Sequence, residues 1–186
     1  MTIGFAMTGS FCTFSQVFPV MEVLAREHRV IPIFSQNVCT IDTRFGEAAV
    51  HRRRAEELCG EVPICTVADA EPIGPKKLLD VLVVAPCTGN TLAKLAHSIA
   101  DTPVTMAVKS HLRNSRPVVI AVSTNDALAG AAENIGKLLG RKHYYFVPFG
   151  QDDPQKKPTS MVACFDKIPE TVAEAVMGRQ IQPLIR

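Results

Sequence analysis

The chain has 186 residues, enough for one domain with a sizeable core and too few for two large ones. Twenty basic residues against 18 acidic ones leave a formal net charge of +2, and there is no Trp, so neither composition nor charge points to nucleic acid or an anionic membrane surface as a partner. No basic segment followed by a long apolar stretch opens the chain, and no apolar run approaches the roughly 18 residues of a spanning helix, so a cytoplasmic protein is expected. The six cysteines (Cys12, Cys39, Cys59, Cys65, Cys87 and Cys164) form no Cys-x-x-Cys pair and no zinc-like spacing with histidine. Free thiols in a reducing compartment, and no bound metal, are the expectation.

In chain order, Ile3–Met7 reads as a short buried strand that turns through Thr8-Gly9-Ser10 into a helix from about Phe14 to Glu27. Pro19 lies inside that helical pattern and should bend it or mark its true start. Arg29–Phe34 reads as a second strand, with Pro32 placing it at an edge or a bulge. Ser35–Arg44 is polar and irregular, and Gly46–Cys59 is helical up to Gly60. Pro63–Val67 is a possible third strand, and Ala70–Lys77 is a loop by its prolines and glycine. Asp80–Ala85 is the clearest strand of the chain. It breaks at Pro86 and passes through a small polar loop into a helix with Leu92, Leu95, Ala96 and Ile99 on one face. Pro103–Leu112 is apolar at helical spacing, and Val118–Val122 is a further strand. Ser123–Asp126 caps a helix to about Leu139, Tyr144–Pro148 is the last convincing strand, and Pro169–Met177 is a terminal helix.

Strands thus alternate with helices, and their apolar runs are continuous rather than alternating, as in strands buried on both faces. The expected fold is a Rossmann-like, doubly wound parallel sheet in a three-layer αβα arrangement, forming a single domain over residues 1–186. Three loops follow strands and precede helices: Thr8–Ser10, Cys87–Thr91 and Ser123–Asp126. In a parallel sheet all three fall on one edge, where ligands bind and helix N-termini favour anions. Each alone is ordinary helix capping. Together, with Ser35 after the second strand, they favour a polar pocket for a small phosphorylated ligand. Neither Gly-x-Gly-x-x-Gly nor a Walker motif is present.

Other candidates are weaker. His51, beside Arg52-Arg53-Arg54, has the chemistry of a general base but is placed by its charged neighbours on a solvated helix face. Cys87 sits in the site loop, where packing is its simpler role. The stretch Gly150–Pro158, GQDDPQKKP, reads as a lid, a contact between copies or a solvated turn.

Thr8-Gly9-Ser10, together with Ala85-Pro86-Cys87-Thr88-Gly89-Asn90-Thr91 and Ile99-Ala100-Asp101, resembles the flavoprotein family that includes the flavin-containing cysteine decarboxylases. The resemblance implies FMN bound by Thr8, Gly9, Ser10, Ser35, Pro86, Thr88, Gly89, Asn90, Thr91, Ser123 and Asn125, in a homotrimer or a multiple of trimers. Gly9, Ser10, Ser35 and Thr88 would take the phosphate or a carboxylate, and Asn90 and Asn125 would orient the ring.

The stretches Thr43–Glu47, Ala70–Lys76, Ser123–Leu128 and Pro148–Pro154 are similar to one branch of that family. Its members work as one half of a two-component oxidoreductase in the mother cell of spore-forming bacteria. This implies a small cyclic dicarboxylate substrate and a partner subunit that holds NAD(P). Arg44 and Lys109 are then candidates to pair with the substrate's carboxylates. The decarboxylases' Pro-x-Met-Asn-x-x-Met motif corresponds here to Val122–Leu128, which keeps Asn125 and lacks the proline and both methionines. A flavin-dependent decarboxylase with His51 as its base, or a non-enzymatic accessory protein without flavin, are the alternatives.

Overall fold

The computed structural model describes residues Met1–Arg186. Its centre is a run of parallel strands in the order β2 (Arg29–Phe34), β1 (Thr2–Met7), β3 (Val81–Cys87) and β4 (Val118–Thr124). The far flank of β4 is shared between two partners. β5 (Tyr144–Phe146) runs parallel to its first half, from Val118 to Ile120. β7 (Met161–Ala163) runs antiparallel to its end, at Ser123 and Thr124, and carries β6 (Phe149–Gln151) outside it. The sheet is therefore mixed and dominated by parallel pairs, and the antiparallel β6–β7 pair is an addition to the purely parallel sheet expected from the sequence.

Continuous apolar strands explain the layering. Every residue of β3 is buried, as are Ile3–Met7 of β1 and Val118–Ser123 of β4, so both faces of the sheet need a helical cover. Strand order reverses between β1 and β3, and right-handed crossovers on the two sides of that reversal put their helices on opposite faces. Accordingly α1 (Phe14–Glu27) packs with α3 (Ala48–Cys59) and α8 (Ile168–Val176). Helices α5 (Gly89–Ala96), α6 (Pro103–Leu112) and α7 (Ala132–Leu139) pack together on the other side.

Several local expectations are corrected. α1 runs unbroken through Pro19, which lies on its exposed face together with Ser15, the residue one turn back whose carbonyl a proline cannot bond. β2 is an edge strand, as Pro32 suggests. The possible third strand at 63–67 is only a bridge of Ile64 to Ile33, because Pro32 has no N–H with which to continue a ladder. The irregular stretch after β2 contains α2 (Gln36–Thr40), and the loop after Thr66 contains a short α4 (Val67–Ala70) and a 3₁₀ turn at Glu71–Ile73.

β3 does not break at Pro86 but continues through Cys87. α5 stops at Ala96, where Ser98 takes a left-handed conformation with φ 59°; Ile99 is left out of the apolar stripe and is exposed. β4 extends to Thr124, and α7 begins only at Ala132. The reason is a tie to the hairpin: Leu128 N–H donates to Thr159 O at 3.0 Å, and Thr159 Oγ1 donates to Asn125 O at 2.7 Å. Not all cysteines are free thiols. Cys39 and Cys65, 26 residues apart, are joined with Cα atoms 6.2 Å apart. The Ile33–Ile64 bridge carries Cys65 to the flank of β2, where α2 presents Cys39.

Candidate functional site

The reversal of strand order leaves a gap above the carboxyl ends of β1 and β3, and the loops on either side are tied together across it. Thr8, almost wholly buried, donates from Oγ1 to Pro86 O at 2.7 Å and accepts from Thr88 N–H at 3.0 Å. Thr88 in turn caps α5, its Oγ1 accepting from Thr91 N–H and meeting Thr91 Oγ1 at 3.1 Å. One strand further on, Ser10 and Ser123 bring their hydroxyls to 2.8 Å of each other. Small side chains are required here because three loops converge. A Cβ at Gly89 would come within 2.8 Å of Asp126 Oδ1 and Thr124 Oγ1.

Above these hydroxyls lies a cleft of about 620 Å³. Gly9, Ser10, Thr88, Ser123 and Asn125 line it from the parallel-sheet side, and Phe45 is also in the lining. The Gly9 and Asn125 N–H groups donate to no protein acceptor, so the cleft offers amide and hydroxyl donors together.

The opposite wall comes from the hairpin, whose Gly150–Pro158 turn is the stretch that the sequence offers as a lid, a contact between copies or a solvated turn. Asp152, Lys157, Ser160 and Val162 line it. Lys157 Nζ donates to Asp152 Oδ2 at 3.0 Å, and Ser160 Oγ lies 3.5 Å from Asn125 Oδ1. Burial works against ionisation of Asp152, but hydrogen bonds from Ser160 and Lys157 outweigh it and hold the carboxyl below its usual range. The same carboxylate raises the Lys157 ammonium above its ordinary value. Among lining residues, Asp152 and Lys157 are the only charged ones. The lining also includes Cys12, an exposed thiol 3.9 Å from Ser10 Oγ.

Other candidates take supporting places. Ser35 accepts from Val38 N–H as the cap of α2, and Pro86 is buried within β3. Thr91 is buried under Thr88, and Asn90 is exposed on the first turn of α5. Cys87 is fully buried, and burial pushes its thiol far up, which suits packing. Arg44 is exposed and stacks on Phe45 at 4.9 Å, beside the cleft. Lys109 is elsewhere: it lines a second cleft of about 410 Å³ with Leu95, Ile99, Arg141 and Tyr144.

His51 corrects the expectation of a solvated face. It is 6% exposed, its ring packs 5.0 Å from Phe14 and 6.0 Å from Phe18, and its Nε2 has no partner. Burial, and then the nearby Arg54, lower its pKa. The arginines that made it look solvated reach outward, and Arg54 itself lies over Phe18 at 4.5 Å. His51 does not line the cleft.

The flavoprotein family model matches residues 1–177. The dipicolinate synthase B subunit of Bacillus subtilis (strain 168) is 48% identical over 184 residues, covering 98% of this chain and 92% of that protein. The crystal structure of the dipicolinate synthase B subunit from Bacillus halodurans C superposes with a TM-score of 0.91 at 44% identity, covering 100% of this chain and 95% of that one. Burkholderia xenovorans DmrB, a cubic protein cage for redox transfer solved with FMN, shares the fold with a TM-score of 0.69 at 16% identity over 95% of both chains.

Proposed function

The chain belongs to the flavoprotein family, and from that premise we propose that it serves as the B subunit of a dipicolinate synthase. With the separate A subunit of that enzyme it would take dihydrodipicolinate, or its hydrated precursor, to dipicolinate in the mother-cell cytoplasm during sporulation. The observation that carries the reading is the polar cleft at the strand-order reversal, in a chain 48% identical over nearly its whole length to a protein named for this reaction.

The cleft's donors fit FMN. The unengaged Gly9 N–H and the hydroxyls of Ser10 and Thr88 suit a phosphate, and Ser123 and Asn125 suit the polar edge of a ring. When bound, FMN supplies a two-electron acceptor. The chain's own part is to hold the substrate ring and limit water, because oxidation removes a hydride and a proton and the gain of aromaticity favours their loss. We assign NAD(P) to the partner subunit, and a homotrimer, or a multiple of trimers, to this chain.

The decarboxylase alternative lacks its expected histidine in the cleft, since His51 is packed between Phe14 and Phe18 and does not line it. The visible spectrum of the purified chain with added FMN tests the cofactor. A bound flavin band is expected, and its absence, with no binding by ultrafiltration, overturns the flavin assignment and favours the accessory reading. Dipicolinate formation from dihydrodipicolinate should then need both proteins. Full turnover by the partner subunit alone would sink the synthase role of this chain.

A further inference from the structure

The cleft presents one cation, and the backbone that carries it is closed by bonds beyond the ion pair. Lys157 sits in a closed turn between β6 and β7. Its N–H donates to Asp153 O at 2.7 Å, and its own carbonyl accepts from Ser160 N–H at 3.0 Å. Gln151 Nε2 ties the turn shut on Pro158 O at 2.8 Å. Asp152 accepts one of the ammonium's three donors, leaving two for a ligand. Lys156, the next residue back, carries the same charge on the same turn but does not line the cleft. Neither carboxylate candidate from the sequence lines it: Arg44 stacks on Phe45 and Lys109 lines a different cleft.

The geometry points to Lys157 as the residue that receives a carboxylate of the substrate, with Asp152 as the positioning residue that holds the ammonium in the hairpin wall, across the cleft from the Ser10–Ser123 pair. This rests on the reading of the cleft as a substrate site. Asp152 orients the ammonium, so an anionic ligand meets one directed donor group rather than a diffuse basic patch.

Cys12 supplies a test that needs neither flavin nor turnover. Its thiol lines the same cleft within electrostatic range of Lys157. Iodoacetate carries a carboxylate and iodoacetamide does not, so the ratio of their alkylation rates at Cys12 reports attraction of a carboxylate and cancels any change in thiolate fraction. Mass spectrometry of the Cys12 peptide should show the ratio falling severalfold in Lys157→Met and unchanged in Lys156→Met. Dipicolinate, titrated by calorimetry onto the FMN-loaded protein, should bind about tenfold or more weakly to Lys157→Met. It should bind Lys156→Met as it binds the unaltered chain.

An unchanged alkylation ratio in Lys157→Met, or unchanged dipicolinate affinity where the unaltered chain binds it, overturns the assignment of Lys157 and leaves the functional reading standing. A ratio that falls in Lys157→Met, in a chain that does not bind dipicolinate at all, keeps Lys157 as a carboxylate receptor and sinks dipicolinate as its ligand.

Discussion

The two walls of the cleft are built by different physics. The wall from β1, β3 and β4 is the end of a sheet buried on both faces, and its loops are cross-tied by buried hydroxyls such as Thr8. The hairpin wall is two three-residue strands with an exposed turn, held by one flank of β4 and by Asp152–Lys157. The first wall supplies neutral donors at fixed positions. The second supplies the charges. The hairpin's strands reach the core through Phe149, Met161 and Ala163, but its turn is exposed and can vary without disturbing that core, which makes the turn the easier place for substrate discrimination.

The largest expected effect is on the framework. Phe5 is fully buried in β1, and Phe5→Ala should cost about 3–5 kcal/mol in urea unfolding, a loss that carries the cleft with it. A loss below about 1 kcal/mol would mean the parallel wall is not the rigid one.

The pH response should also belong to the framework. Burial first of all, with Arg116 adding and the Pro117 carbonyl and Asp80 opposing, takes the His111 imidazole down to about 4 from its ordinary 6.5. The unfolded chain therefore binds more protons between those values, so stability is complete above about pH 6.5 and falls as the pH drops toward 4. The loss attributable to His111 is about 3 kcal/mol, from roughly 1.4 kcal/mol per unit. His111→Gln should flatten that slope in unfolding measured at successive pH values. An unchanged slope would place the response elsewhere.

Thr8→Val tests the tie between the first two loops. It removes the bond to Pro86 O and leaves Thr88 N–H without its acceptor, at about 1–3 kcal/mol. FMN affinity should drop along with stability. A stability loss with unaltered flavin binding would separate the loop tie from the site.

How far each wall could be read from the sequence follows the same division. The β1–β3–β4 frame is legible because apolar runs, β-branched in β3 and β4, and the hydroxyl-rich loops after them are local signals, and Ser10 and Ser123 do meet although 113 residues separate them. The hairpin is not legible in that way. Phe149–Gln151 and Met161–Ala163 are too short to show a period, and their pairing with the end of β4 is a tertiary choice. Lys157 thus stood out only as part of the Gly150–Pro158 turn and with no role of its own, and His51 looked solvated because the arginines beside it hide three phenylalanines brought in from another segment. The Cys39–Cys65 pairing was invisible for the same reason, since it depends on the single bridge between Ile33 and Ile64.

The smallest effect should come from the outer edge of the hairpin. β6 pairs outward with the chain's last residues: Phe149 N–H donates to Leu184 O at 3.0 Å and Arg186 N–H to Phe149 O at 3.1 Å. Gly150 lies against this tail, and an added Cβ would collide with the Arg186 carbonyl. Gly150→Ala should therefore push the tail off β6 and make it exchange amide hydrogens faster. The cost should stay below about 1 kcal/mol, because the displaced backbone is peripheral and regains water. Cys12 alkylation ratios should stay unchanged, since Lys157 is held from the other side by Asp152 and its own turn. If Gly150→Ala instead destabilised the protein as much as Phe5→Ala, the hairpin would be part of the frame, and the division between a structural wall and a selective wall would fail.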